Sequence, residues 1–152
     1  MTADARDDAT PNALPVGTRF GELEILGTLG VGGFGIVYLA RDHALERDVA
    51  VKEYMPSQFA SRDGRSHVSV RAASMRETFE LGLSSFVNEA KLLARFDHPS
   101  LLKVYRFWEA NGTAYMVMPY YQGPTLKTWL LRNGPPDETW LKRLLAPLLD
   151  AL

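Results

Sequence analysis

Residues 29–37 read LGVGGFGIV, and every other interpretation of this sequence starts from them. The stretch contains four glycines, Gly30, Gly32, Gly33 and Gly35. Each glycine at a strand end costs roughly 0.5–1 kcal/mol in chain entropy, so a plain hairpin would use fewer of them. Backbone N–H groups that approach phosphate oxygens closely, with no side chain in between, would explain the excess. An ordinary flexible hairpin is the alternative for this stretch taken alone.

The residues around the glycines separate three families of phosphate-binding loop. A P-loop requires Gly-Lys followed by Ser or Thr, which is absent. A dinucleotide-binding fold requires a helix directly after the last glycine, whereas residues 36–40, IVYLA, continue as a β-strand. Glu53 lies 18 residues after Gly35, near where a ribose-binding acid would fall, but the strand context outweighs it. A glycine loop between two antiparallel strands is the arrangement that remains.

A lysine follows at the end of the third predicted strand. Residues 48–54 read DVAVKEY, and Lys52 closes a run of small apolar residues. An isolated lysine in this position would be interpreted as a solvent-facing strand end. Because the antiparallel return brings this strand beneath the glycine loop, we expect Lys52 to reach the same phosphates.

An amphipathic helix is predicted from Met75 to Phe96, because large apolar residues recur there every three or four positions. Glu89 borders the buried stripe of this helix. A buried carboxylate requires a partner, and Lys52 is the natural candidate. The alternative places Glu89 at the exposed edge of the stripe.

The remaining pattern is that of an α+β protein. Five strands are predicted, at residues 23–29, 36–40, 48–54, 102–108 and 114–118. The hairpin dipeptide Asn111-Gly112 joins the last two. Two helices are predicted after them, at residues 125–132 and from Asp137 to the end of the sequence.

The composition excludes several classes of protein. With 17 Lys and Arg residues against 18 Asp and Glu residues, the net charge is −1, which disfavours a nucleic-acid-binding module. The absence of Cys excludes disulfides, zinc–thiolate sites and a cysteine nucleophile. No apolar run approaches the roughly 20 residues of a membrane helix, and the polar start is unlike a signal peptide. We therefore expect a cytoplasmic protein without a nucleic-acid partner.

From about Phe20 to Leu152, the sequence resembles the N-terminal lobe of a eukaryotic-type protein kinase, and its motifs are similar to those of the bacterial serine/threonine members. The resemblance rests on Gly30-x-Gly32-x-x-Gly35-x-Val37, Val49-Ala50-Val51-Lys52, Glu89, His98-Pro99 and the hinge-like residues 115–121, YMVMPYY. It implies an α+β fold with a five-stranded antiparallel sheet and one major helix. Two helices of an incomplete C-terminal lobe would follow.

Three segments are expected on this basis. Residues 1–16 are acidic and contain almost nothing large and apolar, which is typical of a flexible tail. Residues 17–121 would form the N-terminal lobe, with the polar, loop-like residues 55–75 as an insertion before the main helix. Residues 122–152 would contain the exit from the hinge and the first helices of the second lobe.

The resemblance also implies ATP and Mg²⁺ as cofactors and a role for each motif residue. The backbone of Gly30, Val31, Gly32, Gly33, Phe34 and Gly35 would cover the phosphates, with Lys52 holding the α- and β-phosphates and Glu89 orienting Lys52. The adenine would lie between Leu29, Val37 and Ala50, next to Met118 as gatekeeper and to the Pro119 carbonyl and Tyr121 N–H. Pro119 replaces the glutamate that is common there, and it keeps the carbonyl acceptor.

The activity implied is transfer of the γ-phosphate of ATP to hydroxyl groups of a protein substrate. Neither His-Arg-Asp nor Asp-Phe-Gly occurs in the 152 residues, so no metal ligand is assigned and the catalytic and magnesium-binding residues are expected beyond Leu152. We therefore expect a truncated piece of a longer kinase, inactive by itself. The alternatives are a pseudokinase or docking scaffold without catalysis, and a natural regulatory domain.

Two expectations concern partners. The last helix would expose Leu144, Leu145, Leu148 and Leu149, which predicts self-association. The parent protein could be anchored to a membrane through regions outside this sequence.

Overall fold

A computed structural model describes residues 10–152 of the chain. Its strands are β1 (Arg19–Phe20), β2 (Leu23–Val31), β3 (Gly35–Asp42), β4 (Arg47–Tyr54), β5 (Ala60–Asp63), β6 (His67–Val70), β7 (Arg106–Ala110) and β8 (Thr113–Pro119). Its helices are α1 (Arg76–Leu93), α2 (Leu126–Asn133) and α3 (Glu138–Asp150), with a 3₁₀ turn at Ala73–Met75 before α1. The prediction of an α+β protein is confirmed.

Six strands form one antiparallel sheet in the order β1-β2-β3-β4-β8-β7, so the expected number of five is corrected. The additional strand is β1. Gly21, with a φ of +59°, turns the chain so that Arg19 and Phe20 pair with Glu24 and Leu23. A two-residue strand has too little pattern to be recognised in the sequence.

The sheet curls until its two edge strands meet. The Phe20 ring on β1 lies 5.2 Å from that of Trp108 on β7, and Glu22 pairs with Arg106 at 2.8 Å. The concave side, here called the inner face, is closed off from solvent. It is formed by alternate residues of each strand, including Ile25, Tyr38, Val51, Glu53 and Tyr115, all of them 0% exposed.

The opposite side of the sheet, here called the outer face, packs against α1. Phe79, Phe86, Val87 and Ala90 are the buried residues of this helix. The Tyr54 ring on β4 lies 5.2 Å from the Phe79 ring and 6.0 Å from the Phe86 ring. Aromatic contacts of this kind fix the helix against β4.

The segment of residues 55–75 contains a β-hairpin, where the sequence predicted only a polar loop. β5 and β6 pair in antiparallel fashion around Gly64, which has a φ of +61°. The hairpin docks on the turn between β7 and β8, where the Val68 N–H donates to the Asn111 carbonyl at 2.7 Å. The hairpin has few apolar residues, so its sequence shows no strong alternation that would predict strands. Its stability depends instead on this contact with the β7–β8 turn.

The beginning of the chain is also more ordered than expected. Residues 1–9 of the predicted tail lie outside the described residues, but residues 10–16 pack against the sheet. Leu14 is buried, and its N–H donates to the Tyr38 hydroxyl at 3.0 Å. Leu14 and Asn12 thus contact the sheet and the β5–β6 hairpin, in a segment whose composition predicted a flexible tail.

The C-terminal helices pack against each other, and Asp150 at the end of α3 contacts His98 in the segment after α1 at 3.3 Å. Thr125 and Asp137 cap the first turns of α2 and α3 with their side-chain oxygens. The Trp129 and Trp140 rings stack at 4.7 Å, and neither helix contains a buried residue. Within residues 10–152, no helix is long and apolar enough to cross a membrane.

Candidate functional site

The register of the sheet brings four of the predicted site residues to the outer face. Lys52 pairs with Val37 on β3 and with Met116 on β8, while Ala50 pairs with Met118. Directly paired residues project to the same side of a sheet, and so do residues two positions apart along a strand. Val37, Ala50, Lys52 and Met118 therefore share one face.

The glycine loop joins β2 and β3 above this face. Residues 31–34 are exposed, and the Phe34 side chain at the tip is 73% exposed. The loop is closed by a hydrogen bond from the Gly32 N–H to the Gly35 carbonyl at 2.9 Å. Leu29 lies at an irregularity in the pairing of β2 with β3 and is itself exposed.

The fold requires glycine at one position of the loop but not at two others. A Cβ at Gly35 would overlap the Glu53 carbonyl oxygen, so the fold itself requires glycine there. A Cβ at Gly30 or Gly33 would meet nothing within 4 Å, and neither residue has a positive φ. Nothing in the described residues demands glycine at these two positions, which leaves room for a group above the loop.

Lys52 is half-buried and forms no ion pair with any residue from 10 to 152. Its Nζ lies 5.8 Å from the centre of the Phe86 ring on α1. A cation held near an aromatic face without a carboxylate partner is available to an anionic ligand. This is the main electrostatic feature of the outer face.

The expected contact between Lys52 and Glu89 is absent from the structure. Glu89 is exposed, since Phe86, Val87 and Ala90 take up the buried side of α1 and leave Glu89 at its edge. Lys52 nevertheless touches α1 at Phe86, three residues before Glu89 and a neighbour of it on the helix surface. The two charged residues lie on the same side of the sheet.

The predicted hinge follows β8 directly. Met118 is 8% exposed and pairs with Ala50, and Pro119 ends the strand. Tyr121, two residues later, is 68% exposed. The chain thus leaves the sheet next to the face that holds Lys52.

A buried charged cluster lies on the inner face, and it was not predicted from the sequence. Glu53 accepts hydrogen bonds from the Tyr38 hydroxyl at 2.6 Å, the Tyr115 hydroxyl at 2.9 Å and Arg62 Nη2 at 2.6 Å. In the sequence, Glu53 attracted attention only as a possible ribose-binding acid. The signal that could have found it is the alternation Val49, Val51, Glu53, which places a carboxylate at a core position.

The cluster raises the pKa values of three of its members. Burial, followed by the charge of Glu53, raises the pKa of Tyr38 and of Tyr115 far above the usual value for tyrosine. Burial lowers the pKa of Arg62, but the hydrogen bond and charge of Glu53 outweigh it, so that this pKa rises. The cluster is therefore a stable arrangement of neutral hydroxyls around an ion pair.

Residues 23–152 match the family model described as the protein kinase domain. The chain belongs to the protein kinase family. It is 31% identical over 121 residues to serine/threonine-protein kinase PrkC of Bacillus subtilis (strain 168), a match that covers 79% of this chain and 16% of PrkC. It is 35% identical over 129 residues to serine/threonine-protein kinase PknB of Mycobacterium leprae (strain TN), covering 82% of this chain and 18% of PknB.

Among solved structures, the chain is similar to PpkA-294 in its apo form, with a TM-score of 0.83 and 54% sequence identity. This match covers 92% of the chain and 50% of that structure. The predicted resemblance to the N-terminal lobe of a kinase is therefore confirmed. The chain spans half of the PpkA structure and less than a fifth of PrkC and PknB.

Protein kinases generally use ATP with Mg²⁺, and the residues of the outer face fit the nucleotide. Gly30 and Gly33 leave open space over the loop, and Lys52 provides a cation without a partner among the described residues. Residues 10–152 contain no group of three or more His, Asp or Glu side chains that could hold a metal ion.

Proposed function

We propose that this chain is the ATP-binding half of a serine/threonine protein kinase that transfers the γ-phosphate of ATP to protein hydroxyls. The observation that supports the proposal best is the position of Lys52. It lies on the outer face between Val37 and Met116 on the neighbouring strands, and no carboxylate neutralises it in the described part of the chain. A phosphate group would supply the missing negative charge.

In this proposal the outer face binds the nucleotide in two parts. The backbone N–H groups of residues 30–35 cover the phosphates, and Lys52 binds the α- and β-phosphates. Leu29, Val37 and Ala50 enclose the adenine. Met118 lies beside the base, whose edge is recognised by the Pro119 carbonyl and the Tyr121 N–H.

Glu89 would orient Lys52 only after its side chain has moved inward from the edge of α1. ATP supplies the phosphoryl group that is transferred, and Mg²⁺ neutralises its charge. The motifs that provide the catalytic Asp, the Asn and the magnesium-binding Asp are absent from the 152 residues. We infer that the chain binds nucleotide weakly and does not transfer phosphate by itself.

The second candidate function is a pseudokinase or a protein-docking scaffold without catalysis. It is favoured by Glu89, which is exposed and forms no ion pair with the described residues, because an active kinase would need Lys52 held in place. The residues that follow Leu152 in the parent protein would separate the two candidates. A His-Arg-Asp and an Asp-Phe-Gly motif there would support the kinase.

The partners proposed are ATP, a protein substrate of the full-length kinase and a second copy of this chain. Self-association would use α3, where Leu145, Leu148 and Leu149 are exposed as predicted and Leu141 is also exposed, all four between 40% and 65%. Leu144, which was predicted to be exposed, is only partly exposed. An apolar stripe of this kind favours association in water.

The nucleotide site can be tested by isothermal titration of the chain with Mg-ATP and, separately, with adenosine. We expect Lys52→Met to lower the affinity for ATP about tenfold, the effect of losing one hydrogen bond to a charged group. Adenosine lacks phosphates, so its affinity should not change. Lys91→Met, which removes an exposed lysine from α1, is the control. Equal ATP affinities of the chain and its Lys52→Met variant would contradict the proposal.

A further inference from the structure

The ion pair between Arg62 and Glu53 is completely enclosed. The side chains are 4% and 0% exposed, and Arg62 Nη2 lies 2.6 Å from Glu53 Oε2. Buried ion pairs of this kind are weak contributors to stability, since apolar residues of similar size often replace them without loss. Stability alone therefore does not account for a charged pair in the core of the sheet.

Glu53 lies under both parts of the proposed phosphate site. It directly follows Lys52 on β4, so the two side chains project to opposite faces of the strand. Gly35, the last glycine of the loop, packs against the Glu53 backbone carbonyl. The Met55 N–H donates to the Phe34 carbonyl at 3.1 Å, which ties the loop to the same end of β4.

The Glu53 carboxylate is held from three directions. Tyr38 belongs to β3, Tyr115 to β8 and Arg62 to the hairpin of β5 and β6. Two of these donors come from the strands on either side of β4. The third comes from the segment inserted between β4 and α1.

Arg62 itself is immobilised by contacts outside the sheet. Its Nε donates to the Asn12 carbonyl at 2.8 Å, its Nη1 donates to the Ser66 carbonyl at 2.5 Å, and its backbone N–H donates to Asn12 Oδ1 at 3.0 Å. The guanidinium therefore donates to the Asn12 and Ser66 carbonyls as well as to Glu53, and these three acceptors together restrict its orientation.

We propose that Arg62 and Glu53 are positioning residues for the phosphate site: the inserted hairpin, through Arg62, clamps the end of β4 that places Lys52 and the base of the glycine loop. This inference rests on the proposed nucleotide-binding function. It gives residues 55–75 a purpose, since Arg62 of the inserted hairpin contacts β4 from the inner face, opposite to Lys52.

The test compares the affinities of the chain for Mg-ATP and for adenosine, measured by isothermal titration. Lys52 and the loop contribute to the first affinity and not to the second, so their ratio reports the phosphate site. We expect Arg62→Met to lower the ratio about tenfold, as expected for the loss of one well-placed contact to a charged group. Arg65→Met, an exposed position in the turn of the same hairpin, should leave the ratio unchanged.

A second variant guards against unfolding, because Arg62→Met leaves the Glu53 carboxylate buried without its cation. The double variant Glu53→Gln/Arg62→Met removes both charges and should show the same lowered ratio in a folded chain. An unchanged ratio in the double variant would overturn the inference. A parallel loss of adenosine and ATP binding would also overturn it, because it would show a purely structural role.

The variant Lys52→Met separates this inference from the proposed function. If Lys52→Met leaves the ratio unchanged, the nucleotide site itself is wrong. If it lowers the ratio and both Arg62 variants do not, only the positioning role is wrong. Combining Lys52→Met with Arg62→Met should lower the ratio by less than the product of the two separate effects, since Arg62 acts partly through Lys52 and partly through the base of the glycine loop.

Discussion

Lys52 and Glu53 are neighbours on β4, and the fold treats their charges in opposite ways. Glu53 points to the inner face, where three donors saturate its carboxylate. Lys52 points to the outer face, where its Nζ lies 5.8 Å from the centre of the Phe86 ring and forms no ion pair within residues 10–152. One strand thus has a charge that is paired within the chain and a charge that has no ion-pair partner among residues 10–152. The contrast distinguishes residues that build the lobe from residues that are available to a ligand.

The largest expected effect is a difference in stability between variants of the two faces. Arg62→Met leaves an uncompensated charge in the core, and we expect it to lower the free energy of unfolding by about 3–5 kcal/mol. Lys52→Met leaves no buried charge, and its effect should stay within about 0.5 kcal/mol. Urea denaturation followed by circular dichroism measures both. Comparable losses in the two variants would remove the distinction between the faces.

The same contrast applies to the glycine loop, with a smaller effect. Gly35→Ala would force a Cβ into the Glu53 carbonyl, so we expect a loss of about 1–3 kcal/mol in unfolding free energy, as in other overpacked sites. Gly33→Ala meets nothing within 4 Å and should leave stability unchanged while weakening ATP binding. The prediction fails if Gly33→Ala destabilises the chain as much as Gly35→Ala does.

The smallest expected effect is on self-association, and it concerns the contrast between the inner face and α3. The inner face is closed from solvent, whereas α3 exposes its leucines. We expect weak self-association that light scattering detects as a molecular mass rising with concentration. Leu145→Glu with Leu149→Glu should abolish the rise, and Glu138→Gln on the same helix should not. A constant monomeric mass of the unaltered chain at high concentration would contradict this.

The sequence predicted the strands of the sheet, the main helix and the glycine loop because their signals are local. A loop of four glycines between β-rich runs, and apolar residues every three or four positions, are visible without knowing any long-range contact. Val37, Ala50, Lys52 and Met118 were named from the family resemblance, and the register of β3, β4 and β8 places them on one face. The roles proposed for them stay predictions.

The parts that were wrong or missed depend on contacts between distant segments. Residues 10–16 pack because Leu14 and Asn12 meet Tyr38 and Arg62, which lie 24 and 50 residues further along the chain. The hairpin of residues 60–70 forms where it meets the turn at Asn111. Glu89 is exposed because the exact rotation of α1 decides which edge is covered. None of these features produces a repeating pattern of apolar residues in the nearby sequence.

The amino-acid sequence alone determined the order of strands and helices, the absence of cysteine chemistry and the motifs of a protein kinase. Tertiary structure alone decided that the charge of Glu53 would be shared with Arg62 and that of Lys52 would be left without a partner among the described residues. The physical reason is that β-strand periodicity assigns a side chain to one of two faces. What covers each face depends on how the sheet curls and where the hairpin and α1 dock.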